Sequence, residues 1–144
     1  MATAKDVAEY ILYLDSQQEE TDITNLKLQK LMYYVQGFSL VIFGERLIDA
    51  RMEAWTHGPV FPETYHEYKT NGSKVIEFEE HNSFSGLTEI QKSLIDEVYG
   101  IYGQYSGWTL REMTHQESPW IKNEKFALEI SDDDLIEFFE TRIN

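Results

Sequence analysis

A chain of 144 residues with 42% hydrophobic and 14% aromatic side chains carries enough apolar material for one folded domain and is unlike the apolar-poor composition of disordered chains. Its formal charge of −14, from 26 acidic and 12 basic residues, opposes binding of a phosphate backbone through the bulk surface and favours basic protein partners. Cysteine is absent, which removes disulfides and thiol chemistry; with no apolar signal core behind Met1 and no run of about 18 apolar residues, the sequence predicts a cytoplasmic protein without a membrane span.

Val7, Ala8, Ile11, Leu12 and Leu14 recur at helical spacing and predict a first helix from Thr3 to Ser16. Gln17 to Asp22 has no periodicity and reads as a solvated loop. Thr24 is a good cap, and behind it Leu28, Leu31, Met32, Val35, Phe38 and Ile42 form the stripe of a central helix that Gly44 ends; Lys27, Lys30 and Gln36 fall off that stripe. Arg46–Asp49 and Met52–Trp55 are expected to form two very short strands or an extended connector.

His57-Gly58-Pro59 is expected to be a turn, followed by a helix that Pro62 opens and Asn71-Gly72 closes. Val75 to Glu79 alternates like a strand. Thr88 with Gln91 makes a capping box before Ile90, Leu94, Ile95, Val98, Ile101 and Tyr102, a long helix broken near Gly103 or Gly107. Thr109 with Glu112 repeats that device for a short helix, and Pro119-Trp120 starts another turn.

Ser131 with Asp134 caps a last helix carrying Leu135, Ile136, Phe138, Phe139 and Ile143. Asp132, Asp133 and Asp134 suit the positive end of its dipole, and being adjacent they lack the spaced pattern of calcium-loop ligands. No repeat or linker divides the chain. The expectation is a mainly α fold with minor β: a compact single-domain bundle spanning residues 1–144, with about five to seven helices and one or two short β segments.

Chemistry is sparse along the chain. His57, His66, His81 and His115 make no i, i+4 zinc pair, and no glycine-rich loop has phosphate-binding spacing, so no metal, cofactor or nucleotide is expected. His115 and Ser118 are close, yet no elbow glycines flank the serine. The protein is therefore read as a non-enzyme, with a hydrolase using His57 or His115 and a nearby carboxylate kept as an alternative. Large aromatics abound, among them Tyr33, Tyr34, Trp55, Tyr65, Tyr99, Tyr102, Trp108 and Trp120, and such residues fill cores and anchor interfaces alike.

Three stretches occur in a telling order: Thr24-Asn25-Leu26-Lys27-Leu28-Gln29-Lys30-Leu31-Met32-Tyr33-Tyr34-Val35-Gln36-Gly37, then Glu53-Ala54-Trp55-Thr56-His57-Gly58-Pro59-Val60 followed by Tyr65, then Thr114-His115 with Pro119-Trp120. Together they resemble the Panacea domain, also called SocA-like or GepA-like. The resemblance implies an antitoxin of a bacterial or prophage type II toxin–antitoxin system, which neutralises a protein toxin encoded by a neighbouring gene through direct contact. Some members carry added DNA-binding segments; none is expected here, and the acidity of the chain argues against nucleic-acid binding by it alone.

Within these motifs Leu28, Leu31, Gly58, Pro59, His115 and Pro119 are assigned to the scaffold. Lys27, Lys30, Tyr34, Trp55, His57, Tyr65 and Trp120 carry polar or amphipathic groups that a scaffold does not require, and they are the candidates for a partner-facing or pocket-lining cluster. Two further readings stand beside the antitoxin: a proteolytic adaptor that docks through the Gln17–Asp22 loop or the acidic C-terminus, and an acidic phage mimic of nucleic acid.

Overall fold

The computed structural model describes residues 1–79 and 83–143. Helix α1, Ala4–Ser16, starts at Thr3, whose hydroxyl accepts from the Asp6 backbone N–H while the Asp6 carboxylate accepts from Thr3. Helix α2, Asn25–Ile42, starts at Thr24, whose side chain accepts from the Lys27 N–H at 3.2 Å. It is the axis of the molecule: α1 and the helices α3 (Pro62–Tyr68), α4 (Glu89–Tyr102), α5 (Gly107–Thr114) and α7 (Asp132–Phe139) all pack on it, and so does the strand Gly58–Val60. Positions off its apolar stripe are therefore buried as well, and Lys27, Lys30 and Gln36 all lie inside.

Each buried polar side chain of α2 answers a backbone group elsewhere, as burial without a partner would be costly. The Gln36 amide accepts from Leu47 and Ile48 at 3.1 and 2.9 Å and donates to the Ile48 carbonyl at 2.9 Å. That clamp holds Arg46–Asp49, which is the extended connector of the two forms expected there, with one parallel bridge between Ile48 and Ala2. The strand that does form, β1 (Glu53–Trp55), pairs antiparallel with β2 (Gly58–Val60), Ala54 lying opposite Pro59. Gly58 and Pro59 thus belong to β2, and the turn itself is Thr56-His57.

Pro62 occupies the first turn of α3, Pro62–Tyr68, which tightens into a 3-10 turn at Lys69–Asn71. Val75–Glu79 is not a strand: the Ile76 N–H donates to the Ile23 carbonyl at 2.8 Å, and among the described residues no strand runs beside it to form a ladder. Helix α4, Glu89–Tyr102, keeps the Thr88–Gln91 capping box. Helix α5, Gly107–Thr114, is capped by Ser106 rather than Thr109, because the chain turns into the helix directly after the Gly103–Tyr105 turn and Thr109 already lies in its first turn.

Helix α6, Ser118–Ile121, leads through a 3-10 turn at Glu124–Phe126 to a stretch that runs beside β1, where Ala54 donates to the Leu128 carbonyl at 3.0 Å and Ile130 to the Met52 carbonyl at 2.8 Å. Helix α7, Asp132–Phe139, is capped by Ser131 and lies against α2, with Ile143 beyond its end and partly exposed. The Phe139 ring covers Gly37 so closely that a Cβ there would overlap it. Tyr33, Tyr34, Phe38, Tyr102 and Phe139 complete an aromatic core in which Tyr34 and Tyr102 stack at 3.9 Å. Among the described residues no helix is long and apolar enough to cross a membrane.

Candidate functional site

The beginnings of α2 and α5 meet at one place. Gly107 lies against the Lys27 backbone, where an added Cβ would stand 3.2 Å from the Lys27 nitrogen. The hairpin is drawn to the same place by Lys30, whose Nζ reaches the Pro59 carbonyl at 3.0 Å. Gly58 permits that approach: its φ is +107°, and a Cβ would meet Lys30 Cε at 2.6 Å and Thr114 Oγ1 at 2.8 Å. Between these elements and α3 opens a cleft of about 810 Å³.

Thr24, Asn25 and Leu26 border the cleft from the start of α2, and Ser106, Gly107 and Trp108 from the start of α5. Trp55, His57 and Val60 come from the hairpin, Tyr65 and Lys69 from α3 and the turn after it. The walls are aromatic. Trp55 and Tyr65 meet edge to face at 4.9 Å, and Trp108, 58% exposed, carries the Arg111 guanidinium 4.5 Å over its ring. The polar groups beneath are already engaged: Gln29 accepts from the Phe61 N–H at 2.8 Å and donates to Asn25 Oδ1 at 3.0 Å, while Asn25 donates to the Tyr65 carbonyl at 3.1 Å.

Of the candidate residues, Lys30, Trp55, His57 and Tyr65 line this cleft together. Trp120 stands behind it, donating its indole N–H to the Trp55 carbonyl at 2.7 Å and stacking on His115 at 3.9 Å. Lys27 and Tyr34 lie in the interior instead. Lys27 Nζ holds the Asp22 carboxylate at 2.8 Å and the Gly103 carbonyl at 2.6 Å, tying the loop before α2 to the end of α4. Tyr34 and Tyr33 both donate to the buried Glu117 carboxylate at 2.8 Å. Leu28 and Leu31 are in the core, Gly58 and Pro59 in the hairpin, and Pro119 is buried in α6.

Glu117 and Lys30 are among the buried ionisable groups displaced from their ordinary ranges. Burial pushes the Glu117 carboxyl up to about 7 against the opposing pull of the two tyrosine hydroxyls. Burial lowers the Lys30 amine to about 7, helped by the Arg111 charge. Arg111 donates to His57 Nδ1 at 2.9 Å, which ties α5 to the hairpin turn. His115 is pushed below its usual range by burial, and its Nε2 is buried without a partner among the described residues. No group of three or more metal-ligating side chains is assembled among the described residues, and His81 lies outside them.

Trp108, Arg111, Gln29 and Glu117 belong to this architecture and were not among the candidates. Glu117 sits inside the Thr114–Trp120 motif, so its position was a signal, but a carboxylate between two tyrosines far away in sequence is visible only in three dimensions.

The fold and cleft define a class: a small, mainly α protein with a ligand-sized, aromatic-walled recess built on two helix beginnings and a hairpin. Residues 28–121 match the family described as antitoxin SocA-like, Panacea domain, and the chain belongs to that family. It is similar to Antitoxin SocA of Caulobacter vibrioides (strain NA1000 / CB15N), with 46% identity over 54 residues, which are 38% of this chain and 29% of that protein. The alignment thus spans less than a third of that relative's length. No solved structure matches the chain.

Proposed function

We propose that the protein is a cytoplasmic antitoxin of a type II toxin–antitoxin pair, and that it neutralises its toxin by direct binding across the aromatic cleft. Membership of the SocA-like Panacea family supports the antitoxin role. The observation that carries the choice of surface is the gathering of Trp55, His57 and Tyr65, all from the family-matched segment, on one cleft beside the exposed Trp108. Exposed aromatics in a recess are the residues that anchor protein interfaces.

The test is coexpression with the product of the adjacent gene. A toxin lethal alone should become harmless with this protein and copurify with it in a fixed ratio. Trp108→Ala should abolish protection while leaving the fold intact, because that ring is mostly outside the core. A neighbour that is harmless by itself, or lethal despite this protein, would refute the reading. Loss of the toxin from cells, in place of a durable complex, would point to delivery to a protease.

A further inference from the structure

The protein is acidic, with 26 acidic against 12 basic residues, yet the cleft has the opposite character. Its charged lining consists of Asp22, Lys30 and Lys69. Asp22 is already neutralised by the two contacts of its carboxylate with Lys27 at 2.8 and 2.9 Å. Lys30 is wholly buried, faces the Pro59 carbonyl and has its amine lowered to about 7, which leaves Lys69 as the exposed cation of the lining. Arg111 lies over Trp108 but is itself paired with the Glu112 carboxylate at 2.8 Å, so it adds no uncompensated charge. The first turns of α2 and α5 both open here, and each presents the positive end of a helix dipole. Lys69 and the two helix beginnings thus give one end of the cleft a positive character in a negative molecule.

Apolar surface continues past the recess. Ala127 borders the cleft and is flanked by Phe126 and Leu128, which are 73% and 50% exposed. A small ligand filling the recess would leave both of those side chains in water, whereas a protein partner seated in it would cover them.

From these features, and resting on the antitoxin reading above, we infer that the cleft receives a carboxylate-bearing apolar segment of the partner protein, an acidic peptide with an aromatic or aliphatic anchor. The anchor lies among Trp55, Tyr65 and Trp108, and the carboxylate lies toward Lys69 and the beginnings of the two helices. The molecule's overall charge thus acts on the partner's general surface, while the inserted segment has the opposite preference.

A random-peptide library displayed on phage and selected against the full chain tests this without presupposing the toxin. The expected winners carry Asp or Glu next to a large apolar residue. They should lose about three- to tenfold in affinity to Lys69→Glu, which alters an exposed side chain, and should weaken as salt is raised. They should fail to bind Trp108→Ala.

Enrichment of basic peptides, no enrichment, or winners indifferent to both substitutions would overturn the inference. So would saturation of the cleft by adenosine monophosphate, a small planar anion, with no peptide selected. A dimer in sedimentation that Trp108→Ala dissolves would assign the cleft to a second copy and also overturn it. Protection in coexpression together with basic winners would sink this inference and spare the antitoxin reading; acidic winners without protection would do the reverse.

Discussion

Glu117 and Lys30 are buried groups whose displaced titrations have opposite consequences for stability. The folded protein keeps the Glu117 proton up to about 7, whereas the unfolded chain releases it near the ordinary 4.5. Between those values the native state binds more protons, so stability falls as pH rises and the loss is complete above 7, on the order of 3 kcal/mol. Lys30 releases its proton near 7 in the folded state but only near 10.5 when unfolded, so stability rises with pH over that interval. Urea midpoints followed from about pH 5 to 9 should trace a valley centred near neutrality. Glu117→Gln should flatten the acid limb and Lys30→Met the alkaline limb; a wild-type profile flat across the range would contradict both assignments. At Gly58, substitution by Ala combines a positive φ with overlap on Lys30 Cε and Thr114 Oγ1, and it should cost about 2 kcal/mol or more in chemical denaturation.

At the level of elements, α2 and α7 are fitted to each other through one missing side chain. Gly37→Ala places a methyl group inside the Phe139 ring, so α7 must move off the axis, at a cost of about 1–3 kcal/mol. Phe139→Leu in the same chain should recover part of that loss, and a strictly additive double mutant would show that the two positions do not share the contact. The elements most legible in the sequence have both a period and a cap: Thr24, Thr88 and Ser131 all receive the hydrogen bonds expected of them, while Thr3, read as the first residue of its helix, is the cap instead. Ser106 and the hairpin were harder. Three-residue strands carry too few positions for alternation to register, and among the described residues the Val75–Glu79 pattern has no partner strand to meet. For the cleft, Trp55, His57, Tyr65 and Lys30 were visible as motif residues. Lys27 and Tyr34 had the same polar signature but lie inside, because a helix enclosed on all sides has no outward face for residues off its stripe. Trp108 belonged to no motif, and nothing along the chain distinguished it from the buried aromatics.

Across the whole molecule the excess of acidic charge dominates. Twenty-six carboxylates in a chain of this size repel one another more in the compact state than in the expanded one, so added salt should stabilise the fold. Thermal unfolding in about 0.02 M and then 0.2 M sodium chloride should show a higher midpoint at the higher salt; an unchanged or lowered midpoint would mean that the ion pairs, such as Arg46–Asp132 at 2.8 Å, outweigh the repulsion.

The enclosure of α2 also has a bearing on how the chain is made. Its last residue, Ile42, is synthesised long before Gly107–Thr114 and Asp132–Phe139, the helices that cover it. During translation Tyr33, Tyr34 and Phe38 therefore wait in water for partners that have not yet been polymerised. Interrupted synthesis anywhere before α7 leaves a fragment with the Gly37 surface bare, a product suited to aggregation or proteolysis rather than to function.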